Sequence, residues 1–341
     1  MAHSALVAGA RDVAEASELG RQLSHQVGRL VPHDGYMLTA VDPVGMGGCF
    51  FAERTGFSPD FRNRLEEADA LGTEPHPFSR LLRGPTRVGV LSPGRHTHPD
   101  SVRALGMTAE GFGSEMRIAL VGAGHPLGAL VLVRRQDVRP FTAADTARAE
   151  ALSGALAAGV REFLAHQALR PQRIALPPGV AIIGPDDTVR SVTPSLWDWL
   201  RLLRPVVPNG RGPVEGAEHL TDITRHIVLL ARRTREPAMS RIPTPDGWVV
   251  LHGQPLNEAE AAASVVITLQ QATTATLLPA LSIWCGITPR ERDVMDLLLE
   301  GLPTKRVATR LDVSVHTVND HLKAIYRKLG ASGRDELLAN L

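Results

Sequence analysis
Cysteine is nearly absent from this chain of 341 residues. Its only two, Cys49 and Cys285, lie far apart, so neither a disulfide framework nor a metal-binding cysteine spacing can be drawn. Aromatic residues make up 4% of the sequence, which is sparse. No apolar run approaches the roughly 20 residues that span a bilayer, and no charged leader precedes an apolar stretch at the start. Neither secretion nor membrane insertion is therefore expected, and a reducing, cytoplasmic setting is. A strong charge of either sign is also missing. The net charge is +1, so any surface for a polyanion must be local.

What is present fits several ordinary domains. The hydrophobic fraction is 43%, and the length exceeds one typical core, so two or three domains are expected. Residues 11–30 carry apolar positions at helical spacing. GYMLTAVDP (35–43) reads as a strand, 59–69 as a helix and 86–94 as a short strand. MRIALVGAGHPLGALVLVRR (116–135) reads as a hairpin. Thr142 and Asp145 form a capping-box pair that opens a long alanine-rich helix to about Leu164. Together these predict an α+β sensor-like domain over 1–165. A glycine-rich run, GMGG, reads as a mobile loop.

Residues 166–177 are polar and proline-bearing, a linker by composition. Strands at Val180–Ile183 and Val189–Val192 follow, joined by a turn at Asp186-Asp187, and then a helix around LWDWLRLL. A loop over 204–216, a helix near 220–233, and strands around a Pro-Asp-Gly turn complete a second α+β domain over 178–272. Residues 273–285 read as a linker helix.

From there the pattern is wholly helical. Thr288 and Glu291 have capping-box spacing, Pro289 sits at the first helical position and Gly301 just past the end. PTKRVATRL gives a short helix with Val307, Ala308 and Leu311 inward. Asp312-Val313 turns and Ser314 caps the next helix. In that helix Val318, Leu322, Ile325 and Leu329 form one stripe. The opposite arc holds His316, Asn319, Asp320, Lys323 and Arg327, an imidazole, an amide, a carboxylate and two cations. Residues 303–328 hold six basic and two acidic residues, net +4, whereas 289–300 hold two basic and four acidic, net −2. Positive charge is concentrated where two short helices meet at a tight turn, the helix-turn-helix arrangement. Ser332 and Asp335 start a last short helix carrying Leu337, Leu338 and Leu341.

ITPRERDVMDLLLEGLPTKRVATRLDVSVHTVNDHLKAIYRKLG resembles the LuxR-type helix-turn-helix of bacterial transcription regulators. The matched positions are Thr288 to Glu291, Gly301, Val307-Ala308, Leu311, Ser314, Thr317-Val318, His321-Leu322, Ile325, Lys328-Leu329 and Arg334. Pro303, Thr304, Arg306 and Gly333 depart from the family's usual residues. The front of the chain resembles the GAF-like and PAS-like regions of actinobacterial LuxR-type regulators, through GSEMRIALVGAGHPLGALVLVRR, GVAIIGPDDTVRSVTPSLWDWL and TPDGWVVLHG. The resemblance implies a multidomain protein: an α+β GAF-like domain, an α+β PAS-like domain and an all-α helix-turn-helix domain over 286–341. It also implies a DNA-binding regulator, with no reaction catalysed and no cofactor. The expected DNA-binding residues are Lys305, Ser314, His316, Thr317, Asn319, Asp320, Lys323, Arg327 and Lys328. Asn319 and Lys323 would read bases, while Lys305, Arg306, Thr317, Arg327 and Lys328 would hold phosphates.

The resemblance further implies a homodimer on double-stranded DNA. An unknown small-molecule effector would sit in a pocket around 35–51 and 85–121. The rival role is a helix-turn-helix that docks a protein such as RNA polymerase, with a purely structural front. No G-x-x-x-x-G-K-[ST] is present, which sets aside the ATP-binding members; nor is a phosphoacceptor cluster or the aromatic-rich pocket of the acyl-homoserine-lactone receptors. His96 and His98 near Asp100 offer two metal ligands without a third. Cys49 reads as a buried, inert thiol, and Trp197, Trp199 and Trp248 as core rather than pocket lining.

Overall fold
The computed structural model describes residue 10 and residues 13–72, 74–92, 101–167, 173–203, 222–256 and 263–340. His96, His98, Asp100, the 204–216 loop and Leu341 lie outside the described residues.

The first unit begins with helix α1 (Ala16–Gly28) and strands β1 (Gly35–Val41) and β2 (Gly48–Arg54). Helices α2 (Pro59–Leu71) and α3 (Phe78–Arg83), strand β3 (Val88–Leu91) and helix α4 (Val102–Ala109) follow. The hairpin β4 (Phe112–Gly122) and β5 (His125–Arg135) and the long α5 (Ala143–His166) complete it. The strands form one antiparallel sheet in the order β2-β1-β5-β4-β3. The period of two in β4 and β5 sends Met116, Ile118, Leu120, Leu130 and Leu132 into the core shared with α1 and α5. Val131, Val133 and Phe112 go to the opposite face, where Phe57, Phe61 and Met107 pack. Thr142 and Asp145 cap α5 reciprocally, as the sequence predicts. Strand β2 and helices α3 and α4 are additions to that prediction.

Charge is buried on the face covered by α2 and α4. Arg117 donates to both oxygens of Asp69 at 2.8 Å and through Nε to Glu115 at 2.6 Å. Arg103, fully buried, donates to Asp69 at 2.8 Å and faces Glu115 at 3.6 Å. Glu115 Oε2 has no hydrogen-bond partner. Burial pushes the Glu115 carboxyl up to about 7 against the pull of Arg103, with Asp69 and Glu74 adding to the rise. A raised folded-state value means stability that is full below the ordinary carboxyl range and lost as pH climbs through about 7. At roughly 1.4 kcal/mol per pKa unit, a rise from 4.5 to about 7 is on the order of 3–4 kcal/mol. Between pH 5 and 8 the melting temperature should fall; in Glu115→Gln, which cannot ionise, the fall should be smaller and confined to the lower part of the window, where Asp69, raised by burial to about 6, still titrates. Parallel pH profiles for the two proteins would refute the assignment.

The second unit holds β6 (Gly179–Ile183), β7 (Val189–Val192), α6 (Ser195–Leu203), α7 (Asp222–Thr234), β8 (Ala238–Thr244), β9 (Gly247–Pro255) and β10 (Val265–Gln271). Its antiparallel sheet runs β7-β6-β10-β9-β8. Counted within each unit, that order is the same as in the first sheet. Asp187 takes φ 62° at the predicted turn, and Trp199 and Trp248 are core residues.

The two units share one continuous core, and the run read as a mobile loop is where they meet. Asp42 caps that turn, its Oδ1 accepting from the backbones of Val44 and Gly45 at 2.9 and 3.0 Å. A Cβ on Gly45 would stand 2.3 Å from the Met239 carbonyl oxygen, and one on Gly47 2.7 Å. Only glycine allows that approach. Ser240 Oγ donates to the Gly48 carbonyl. Arg241 Nη1 pairs with Asp42 Oδ2 at 2.5 Å, with Asp42 fully buried.

The described residues of the stretches expected to be linkers are also packed. The Gln167 carbonyl accepts from Trp248 Nε1 at 2.8 Å, and Ile174 is buried. Helix α8 (Thr274–Trp284), read from sequence as a linker helix, is two-faced. Leu277, Ala280, Leu281 and Trp284 enter the large core, and Leu278 enters the C-terminal one. Trp284 stacks on Trp248 at 5.2 Å and 19°.

Candidate nucleic-acid interface
Four helices follow: α9 (Pro289–Leu299), α10 (Thr304–Leu311), α11 (Val315–Leu329) and α12 (Arg334–Asn340). The local signals act as read. Thr288 and Glu291 close a capping box on α9, and Gly301 takes φ 84° beyond its end. Asp312 adopts a left-handed conformation in the tight turn after α10. Ser314 Oγ then accepts the Thr317 N–H at 3.0 Å to start α11. Inside, Val294, Met295, Leu298, Val307, Ala308, Val318, Leu322, Ile325, Leu329 and Leu337 form one small core. The small side chain of Ala308 lets α10 cross close to α11.

That core turns the polar arc of α11 outward. The His316 side chain is 84% exposed, Lys323 76% and Asp320 56%. Asn319 and Arg327 are exposed too, as are Lys305, Arg306 and Arg310 on α10. Asp320 stands 3.5 Å from His316 Nε2 and 3.6 Å from Lys323 Nζ. A carboxylate on a positively charged arc is thus flanked by a cation and an imidazole one turn away on either side. Ser314 and Thr317 bond to each other through their hydroxyls at 2.9 Å, so both serve the helix start.

One residue expected at a phosphate is engaged within the protein. Lys328 Nζ reaches Glu291 at 2.6 and 2.9 Å and the Gly286 carbonyl at 2.8 Å. Burial works against the Glu291 carboxylate, but Lys328 and Thr288 prevail and hold it below the ordinary range. The Lys328 ammonium therefore braces α11 against the start of α9. The last helix is also capped differently from the expectation, by Ser332 donating to Glu336 rather than pairing with Asp335. Leu337 lies in the core, and Leu338 is 38% exposed. Arg292, which the sequence left unassigned, donates to Ser282 Oγ at 3.0 Å and to the Leu278 carbonyl at 3.3 Å. It fastens α9 to α8.

Elsewhere, Cys49 is fully buried, and burial raises its thiol well above the ordinary value. The face of the first sheet turned from α5 is filled by the aromatic cluster and the Arg103–Glu115 network. The part of the expected pocket at 42–48 lies against β8. No helix among the described residues is long and apolar enough to cross a membrane.

The family model for bacterial regulatory proteins of the luxR family matches residues 286–339. The spore germination protein GerE of Bacillus subtilis is 38% identical over 55 residues, 16% of this chain and 74% of that protein. The nitrate/nitrite response regulator protein NarL of Escherichia coli is 44% identical over 50 residues, 15% of this chain and 23% of that one. An HTH-type transcriptional regulator of Mycobacterium bovis is 49% identical over 55 residues, and the chain spans only 6% of its length. Among solved structures, a GAF domain of a phosphoenolpyruvate-protein phosphotransferase from Coxiella burnetii is 16% identical with a TM-score of 0.34. The overlap is 49% of this chain and 95% of that one. Escherichia coli SdiA is 13% identical at a TM-score of 0.34, over 99% of this chain and 94% of that one.

Proposed function
The chain belongs to the luxR family of bacterial regulatory proteins, and on that premise we propose that it is a DNA-binding transcription regulator whose helix α11 reads the major groove. The observation that carries this reading is the outward arc of α11, where an amide, a carboxylate, an imidazole and cations are exposed together beside the basic residues of α10. A merely solvated helix has no need of that mixture. Asn319 suits adenine and Lys323 suits guanine; Asp320 suits the cytosine amino group or orients its two neighbours. Lys305, Arg306, Arg327 and the Thr317 hydroxyl suit phosphates. Regulators of this kind act as two-fold dimers. With Leu337 buried and Leu338 half-exposed, α12 offers little apolar surface, so the larger part of a dimer contact would come from the first two units.

Those units read as a GAF-like domain followed by a PAS-like one, supported by the strand order they share. An effector would act by binding the DNA-competent arrangement more tightly than its alternative. Its simplest test is a shift of the intact protein's melting temperature on adding metabolite extracts.

The groove-reading role is tested on duplexes enriched by the full-length protein from genomic fragments. Asn319→Ala should lose about 1–3 kcal/mol on an enriched site and little on random DNA. Equal losses on both would remove Asn319 from the base-reading set. Binding that did not weaken steeply with salt would argue for a docked protein instead of DNA. Salt dependence also separates two lysines. Lys305→Ala should flatten the logarithmic salt slope by about one unit. Lys328→Ala should leave the slope alone and lower the melting temperature, because it strands Glu291. A flattened slope in the Lys328 variant would restore that residue to the phosphate set.

A further inference from the structure
The margin of the recognition arc, where it meets the buried stripe, holds an exposed apolar residue that the reading above does not use. Val315 is the first residue of α11, directly after the Ser314 cap. It is 40% exposed, and between Pro303 and Leu329 no other large apolar side chain is exposed. At about 100° per residue, positions four apart form one ridge along a helix. Val315, Asn319 and Lys323 fall on such a ridge, which climbs away from the covered stripe of Val318, Leu322, Ile325 and Leu329: Val315 stands at the stripe's edge, about 60° round from Val318, and Asn319 and Lys323 at about 100° and 140°. Whatever surface Asn319 and Lys323 meet, Val315 meets its N-terminal end. In helix-turn-helix docking the first residues of the second helix lie against base edges.

We infer that Val315 reads the 5-methyl group of a thymine in the major groove, a specificity contact that rests on the DNA-reading role proposed above. Thymine is the one base whose groove edge presents an apolar group. Valine is branched at Cβ and nearly fixed in one rotamer on a helix, so its methyls are placed in advance and little side-chain freedom is lost on contact. A phosphate offers nothing to such a side chain. The four-residue step from Val315 to Asn319 is about 6 Å of helix, close to two base steps of about 3.4 Å. The thymine is therefore expected about two base pairs from the adenine that Asn319 reads.

The experiment uses full-length protein and duplexes selected from a random pool. Each thymine of the selected site is replaced in turn by uracil, which keeps pairing and removes only the methyl. At one position the wild type should lose about three- to fivefold in affinity, the worth of one buried methyl group. Val315→Ala should bind the thymine duplex more weakly by a similar factor and show no further loss with uracil there. Unchanged affinity of the variant for random DNA shows that it is folded. Uracil penalties that are the same in both proteins, or absent from both, overturn the Val315 contact while leaving the Asn319 reading intact. Failure to enrich any duplex overturns both.

Discussion

Replacing Asp42 with alanine should destabilise the whole chain by about 3–5 kcal/mol, the range for breaking a buried ion pair by removing one partner. Asp42 is fully buried, and its two oxygens do different work. Oδ1 closes the turn that brings Gly45 and Gly47 onto the Met239 backbone, and Oδ2 neutralises Arg241. Arg241 also donates through Nε to the Thr276 carbonyl in the first turn of α8. One guanidinium thus holds the end of β1, its own strand β8 and the helix that leads to the C-terminal helices. Alanine at 42 leaves that guanidinium in the interior with a single carbonyl. The effect is read by urea denaturation of the full chain. A second variant keeps the cause identifiable: Asp42→Ala combined with Arg241→Met removes both charges and should recover much of the loss. A loss below 1 kcal/mol in the single variant, or no recovery in the double, would show that the pair does not hold the units together.

Trp284→Ala should cost a similar amount, about 3–5 kcal/mol, as large aromatic truncations in a core do. Its more informative consequence is the shape of the transition. Helix α8 belongs to two cores at once, with Trp284 stacked on Trp248 on one side and Leu278 packed among the C-terminal helices on the other. Because those cores share a helix, the intact protein should melt in one calorimetric transition. Cutting away Trp284 loosens α8 from the large core while Arg292 still ties it to α9, so the variant should melt in two. Trp284→Phe should fall between the two proteins, helped by removal of an indole N–H that has no acceptor. Two transitions already present in the unaltered protein would contradict the shared-helix reading.

The parts of this molecule legible in the sequence are those whose physics is local. The Thr142/Asp145 and Thr288/Glu291 caps, the Asp312 turn and the Ser314 cap each rest on partners within four residues. The periodic stripe of α11 needs nothing beyond its own spacing. What stayed hidden depends on partners distant in the chain. Lys328 looks like a phosphate ligand because Glu291 is 37 residues away. The GMGG run looks mobile because the surface that fixes it, Met239 to Arg241, lies almost 200 residues on, with Asp42 and Arg241 separated by 199. Glu115 and Arg117 read only as polar residues in a strand; Asp69 and Arg103, which complete their network, come from two helices elsewhere. The six-residue α3 is too short to show a period. For the exposed polar side chains of α11, identity and face could be read from spacing, and the structure added the flanking of Asp320 by His316 and Lys323.

The meeting of β2 with β8 also bears on how the chain avoids pairing with copies of itself. Both are edge strands of their sheets, and each is seven residues long. A long edge with unpaired backbone groups and apolar side chains is a template for adding strands from other molecules. In the intact chain each of these two edges is shielded by the other unit. The other two edge strands, β3 and β7, have four residues each, too few to recruit a neighbour firmly. A cut between the two units would therefore do more than separate them: it would uncover two adhesive borders at once, Cys49, Phe50 and Phe51 on one, and the fragments would be prone to precipitate through strand addition. The first two units are for this reason unsuited to being handed singly to another protein.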